Sequence, residues 1–155
     1  MSRIRETSAG LLAYRRSTAG LEVLLVHPGG PFWAKKDEGA WSIPKGVVES
    51  ERLLACAQRE FTEETGLIPQ GRFEPLAPVR QKSGKVVHAF AFAADFDLTQ
   101  FSSNRFEMEW PPRSGRRQSF PEVDRIAYFD IPTALKKIHE YQKPLLHQLV
   151  EALRA

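Results

Sequence analysis

The stretch from Trp41 to Leu67 sets the tightest limit on how this chain folds. Trp41-Ser42-Ile43 reads as a short strand and Pro44-Lys45-Gly46 as the turn after it. Pro44 fixes φ, and Gly46 lets backbone approach a ligand closely. A helix follows. Ser50 is the expected N-cap, its hydroxyl accepting an orphan backbone N–H of the first turn. Glu51 would then sit at the positive end of the helix dipole. Leu53, Leu54, Ala57 and Phe61 recur at helical spacing and predict the buried stripe. Gly66 is placed to stop the helix, because glycine takes a positive φ without steric cost.

Near the end of that helix Glu60, Glu63 and Glu64 stand at i, i+3 and i+4, on adjoining parts of one face. Each close like-charge pair costs an isolated helix roughly 0.2–0.5 kcal/mol. A hard divalent cation removes that repulsion and takes the carboxylate oxygens as ligands. A solvated acidic face is the plain alternative, but Arg59 beside Glu60 and Gly66 behind Glu64 favour a metal site.

Arg59-Glu60-Phe61-Thr62-Glu63-Glu64-Thr65-Gly66-Leu67 resembles the second half of the Nudix box, G-x5-E-x7-R-E-U-x-E-E-x-G-U, where U is bulky and apolar. Glu51 precedes Arg59 by the seven residues the box asks for. The front half departs from it: Lys45 occupies the glycine position and Gly46 stands five before Glu51, so the loop is one residue short. The resemblance extends to Ser8–Leu12, Val26–Trp33, Trp41–Gly46, Ser83–His88 and Glu109–Arg116, which look like one branch of small bacterial Nudix proteins, the predicted NTP pyrophosphohydrolases.

The resemblance implies a metal-dependent hydrolase that cleaves a phosphoanhydride in a nucleoside diphosphate derivative, either an NTP or a dinucleoside polyphosphate. Glu60, Glu63 and Glu64 would hold Mg²⁺ or Mn²⁺, with Glu51 supporting or joining them and Arg59 orienting a glutamate through an ion pair. Lys45, Gly46, Arg113 and Arg116 are the expected substrate contacts, with Arg117 in the same basic cluster. Glu107, Glu109 and Glu122 are candidates for a further carboxylate. The alternative is a Nudix-fold nucleotide-binding or regulatory module that has lost turnover, motivated by the short Gly46–Glu51 loop. Family members often form homodimers, and nothing in the sequence marks such an interface.

Along the chain, Ser8–Arg16 and Glu22–His27 read as strands of a hairpin, the second buried. Pro28–Gly39 is a loop whose Trp33, near Lys35 and Lys36, suits a base and a phosphate, unless Phe32 and Trp33 merely pin the loop. His27 reads as structural. Phe73–Gln81 and Val86–Phe96 predict strands around Lys82-Ser83-Gly84-Lys85, with Ala89, Ala91 and Ala93 forming a small face that suits a helix. Arg80 and Lys85 reach phosphate or simply decorate that hairpin. Leu98–Phe120 is expected to be irregular around Pro111-Pro112. A last strand over Arg125–Phe129 precedes helices over Pro132–Glu140, capped by Asp130, and Leu145–Leu153. The sum is an α/β fold, an α/β/α sandwich with a mixed sheet, as in Nudix proteins.

Its 155 residues suit a single domain over 1–155. A 42% apolar, 26% charged composition is that of an ordinary soluble protein. The formal net charge of +3 suits an anionic small ligand and is too slight to establish nucleic-acid binding. Cys56 is the lone cysteine, so no intrachain disulfide forms and a reducing cytoplasm is the expected location; its expected role is packing. With no apolar leader and no run near the ~18 apolar residues of a span, no membrane partner is expected.

Overall fold

The computed structural model describes residues 6–154; residues 1–5 and Ala155, which the single-domain reading spans, lie outside them. In chain order the elements are β1 (Thr7–Ser17), β2 (Gly20–Pro28), β3 (Lys45–Val47), α1 (Leu53–Thr65), β4 (Glu74–Pro75), β5 (Val79–Arg80) and β6 (Val86–Ala93), then β7 (Arg105–Glu109), β8 (Arg117–Pro121), β9 (Val123–Asp130), α2 (Ile131–Lys137) and α3 (Lys143–Leu153).

β1 is central. It pairs in parallel with β6 on one side and antiparallel with β2 on the other, and the main order is β4-β6-β1-β2-β9. β3 adds to β1 and β5 to β6, both antiparallel, so the parallel β1–β6 pairing is what makes the large sheet mixed; β7 and β8 form a separate hairpin. Burial on both faces explains the nearly unbroken apolar run Ala9–Ala13. Strand alternation divides it: Ala9, Leu11 and Ala13 pack with Ala57 and Phe61 of α1, whereas Leu12 packs with Ala134 of α2 and Leu145 and Leu149 of α3. Each fully buried Leu or Phe side chain is worth ~1.5–3 kcal/mol. On β6, Ala89 and Ala91 face α2 and α3, while Phe92 meets Phe61 of α1 edge to face at 5.7 Å. Of the small face predicted for that strand, Ala89 and Ala91 thus meet a helical layer, whereas Ala93 is exposed.

Several expectations need correction. Ser50 does not cap α1: the N-cap is Arg52, without a side-chain hydrogen bond, and the Ser50 N–H donates instead to Glu51 Oε2 at 3.0 Å. Trp41-Ser42-Ile43 forms only single bridges, Ser42 to Val26 and Trp41 to Ile138. The strand expected over 73–81 is split into β4 and β5, with Pro75 and Pro78 limiting its ladder donors. The irregular segment expected over 98–120 contains the β7–β8 hairpin, with Phe106 opposite Phe120 and Pro111-Pro112 in the connection between the strands. The helix expected to run to Glu140 ends at Lys137, because Trp41 N–H donates to the Lys137 carbonyl and His139 N–H to the Trp41 carbonyl, at 2.9 Å each. Asp130 does cap α2, accepting from Thr133 N–H at 2.9 Å. No helix among the described residues is long and apolar enough to cross a membrane.

Candidate active site

Three pieces of backbone bring the site together. The first is Pro44-Lys45-Gly46, expected as a turn but running directly into β3, where Lys45 and Gly46 pair with Gly10 and Ala9 of the central strand; the Leu11 N–H also donates to the Pro44 carbonyl at 3.2 Å. Lys45 N–H donates to Glu64 Oε1 at 3.2 Å. Gly46 has no side chain because the space is taken: a Cβ there would fall on the Glu60 carboxylate. Gln142, fully buried, supports the residues leading into this segment by accepting from Ile43 N–H at 3.1 Å and donating to Ser42 Oγ at 2.9 Å.

The second piece is the C-terminal half of α1. Arg59 donates to Glu51 at 2.6 Å, to Glu60 at 2.9 Å and to Glu63 at 3.3 Å. The short loop therefore still delivers Glu51 to Arg59, whose guanidinium holds the Glu51 carboxyl down at about 2. Gly66 ends the helix with φ of 73°, its N–H donating to the Thr62 carbonyl at 2.7 Å. Cys56 is buried in the same helix, and burial pushes its thiol up to about 11.

The third piece carries Glu122. Gly29 N–H donates to the Glu122 carbonyl at 2.9 Å, and Glu122 N–H to the Asn104 carbonyl at 2.7 Å. Asn104 N–H in turn donates to the Glu63 carbonyl at 2.9 Å. The β2–β9 register shifts between His27 and Pro28, a bulge that re-aims this stretch of chain. His27, fully buried, lies between Asp124 Oδ1 at 2.7 Å and the Lys36 carbonyl at 2.6 Å, so it fastens the adjoining loop. That is the structural role expected of it.

Electrostatics mark the carboxylates as a group. Burial raises Glu60, and the charges of Glu63 and Glu122 push it the same way. Burial and Glu63 raise Glu122. Burial pushes Glu64 up to about 8, opposed by Lys45 and reinforced by Glu60 and Glu122. The enclosure is at its carboxyl end; the side chain as a whole is only half-buried. Such mutual repulsion, with all-oxygen donors, is the chemistry a hard cation relieves. No trio of acidic, His or Cys side chains among the described residues is already closed around one point, since Arg59 engages Glu60 and Glu63.

Glu64 and Glu122 face a cleft of about 290 Å³ whose other walls include Trp33, Lys45, His139 and Tyr141. Lys36 lies 5.0 Å from the Trp33 ring, and His139 meets that ring edge to face at 5.8 Å. Trp33 thus lines the cleft, while its neighbour Phe32 is 61% exposed and abuts Trp110. Arg113 and Arg116 are exposed in the connection between β7 and β8 and do not line the cleft; Glu107 and Glu109 lie in β7, away from the group that Glu122 joins. His139 and Tyr141 escaped the sequence reading. Their stretch continues a helical pattern, and only the bridge to Trp41 turns it into the cleft.

A family model for the NUDIX domain matches residues 5–149, and the chain belongs to that family. No curated protein matches the chain. Among solved structures, the NUDIX domain of Shewanella oneidensis NrtR complexed with ADP ribose is 18% identical, with 98% of this chain and 90% of that chain covered and a TM-score of 0.67. A C. elegans Ap4A hydrolase in a binary complex is 21% identical, with 96% and 98% covered and a TM-score of 0.63. A mutT/nudix family protein from Listeria innocua is 18% identical, with 98% and 96% covered and a TM-score of 0.66. At these identities the likeness carries the fold, the mixed α/β sandwich described above.

Proposed function

We propose that this chain is a metal-dependent pyrophosphohydrolase acting on a phosphoanhydride of a nucleoside diphosphate derivative. The observation that carries the reading is the group of mutually repelling carboxylates, Glu60, Glu63, Glu64 and Glu122, beside Lys45 at a cleft. Two structural relatives support the substrate class, since ADP ribose and Ap4A are both nucleoside diphosphates joined to a further group.

Glu60, Glu63 and Glu64, with Glu122, are the residues that would hold Mg²⁺ or Mn²⁺, which neutralises phosphate charge and activates water. Phosphoryl-type transfer asks the protein mainly for positioning and electrostatics. Arg59 fixes the direction of Glu60 and Glu63 and ties Glu51 to them. Lys45 offers a compact cation to a phosphate oxygen. Trp33 offers a ring face to a base. Gly46 leaves the room that Glu60 fills.

Arg59's hold on Glu60 and Glu63 also favours a second reading, a nucleotide-binding module without turnover. Mg²⁺- and Mn²⁺-dependent hydrolysis decides between them, measured over NTPs, dinucleoside polyphosphates and nucleoside diphosphate sugars with products identified by mass. The enzyme reading expects metal-dependent cleavage that Glu63→Gln and Glu64→Gln each abolish while the circular dichroism spectrum is retained. Unchanged rates in both variants would remove the carboxylates from the chemistry.

A further inference from the structure

The cleft is small for a nucleotide. Ligand sites run to about 300–1,000 Å³, and this one holds about 290 Å³. A larger groove of about 830 Å³ adjoins it. The two chambers share Gln81, His139 and Tyr141 as lining residues. His139 and Tyr141 stack with centroids 5.9 Å apart and an interplanar angle of 30°.

The groove beyond that wall is basic. Arg80 ends β5, Lys82 stands in the β5–β6 turn, Lys136 comes from α2 and Lys143 from the start of α3. Lys143 is paired with Glu140 at 2.7 Å. Arg80, Lys82 and Lys136 have no carboxylate partner among the described residues, whereas Lys85 on the same turn reaches Glu6 at 3.6 Å. Cations from separate elements around one groove raise the local concentration of a polyanion. The floor suits a flat ring as well: Ile138 is buried there, and the His139–Tyr141 stack offers an aromatic surface. Burial and Lys45 hold His139 below its usual range, which keeps the ring neutral for stacking.

Building on the hydrolase reading, we infer that the Arg80–Lys82–Lys136 groove receives the far nucleoside and its adjoining phosphate while the scissile phosphates occupy the carboxylate cleft. The preferred substrate class is then a dinucleoside polyphosphate rather than a free NTP. A second base stacked on an aromatic surface adds affinity that a free NTP, with one base, forgoes.

Binding of methylene-bridged, non-hydrolysable analogues of diadenosine tetraphosphate and of ATP, measured calorimetrically with Mg²⁺ present, tests the groove without relying on turnover. The native protein should bind the longer analogue at least tenfold more tightly, and Arg80→Glu with Lys82→Glu should reduce that preference at least tenfold. Lys85→Glu, a charge reversal on the same turn but outside the groove, should leave the preference in place. Equal affinities in the native protein overturn the inference. So does a preference that survives the groove variant, or one that Lys85→Glu lowers as strongly, which would reveal a general field effect. Turnover of the parent compounds is assayed separately: tight selective binding without cleavage would sink the hydrolase reading and leave the groove standing.

Discussion

A methyl group on Gly46 would meet the Glu60 carboxylate, the flexible end of a side chain that Arg59 holds in one direction. The fold can absorb that displacement; a catalytic arrangement cannot, since a misplacement of about 1 Å can cost ~10²-fold in rate. Gly46→Ala is therefore expected to lower kcat/KM by about two orders of magnitude, with a melting temperature close to that of the native protein. Steady-state kinetics and a thermal melt check the two halves of that statement. At this scale the sequence was informative where chemistry fixes spacing. Glu51 stands eight positions before Arg59, and their 2.6 Å hydrogen bond forms although the loop before Glu51 is one residue short. It misled where a residue type has several uses. Ser50 has the side chain of an N-cap, yet the helix begins at Leu53 and Arg52 takes the capping position with its backbone alone.

Elements are held at their ends, and the end of α1 bears most directly on the site. Gly66 adopts φ of 73°, and a Cβ there would lie 2.8 Å from the Ser102 carbonyl oxygen. Ser102 and Asn104 donate their N–H groups to the carbonyls of Thr65 and Glu63 at 2.9 Å each, so the turn also positions the chain that leads to Glu122. A non-glycine residue held in that region costs of order 1–3 kcal/mol. Gly66→Ala should lower the urea midpoint by a corresponding amount with an unchanged m value; an unaltered midpoint would show that the turn is not held there. The C-terminal stop was readable because few residues other than glycine suit it. The β7–β8 hairpin was not, because its two prolines hide the alternation of Phe106 and Met108, although they lie in the connection rather than in either strand. His139 and Tyr141 were invisible for a different reason: the backbone bridge that turns them into the cleft joins residues nearly a hundred positions apart, Trp41 and Ile138.

For the molecule as a whole, the three-layer architecture was legible because strand alternation and helical spacing each specify a buried face, and those faces meet on the sheet. The carboxylate group makes a demand on that architecture. Glu64 has its folded-state pKa pushed up by burial from the ordinary 4.5 to about 8, and Glu60 and Glu122 move the same way. A carboxyl raised on folding contributes stability that is fully present below its unfolded value and lost as pH rises through its folded value. A tenfold change in proton affinity between the folded and unfolded states corresponds to ~1.4 kcal/mol. The metal-free protein should accordingly lose up to a few kcal/mol of stability between about pH 4.5 and pH 8 through these groups. Glu64→Gln should flatten that dependence and raise the melting temperature on the alkaline side. A bound divalent cation favours the ionised carboxylates, so it reverses the loss most where they are ionised. At a hundredfold excess over its dissociation constant a ligand adds about 2.7 kcal/mol, and each kcal/mol moves the midpoint of a chain this size by about 2–4 °C. Melts with EDTA and with saturating Mg²⁺ should diverge by roughly 5–10 °C near pH 8 and by much less near pH 5.5. A difference of equal size at both values would place the cation away from Glu64, and no difference at either would leave the carboxylates without the ligand their repulsion calls for.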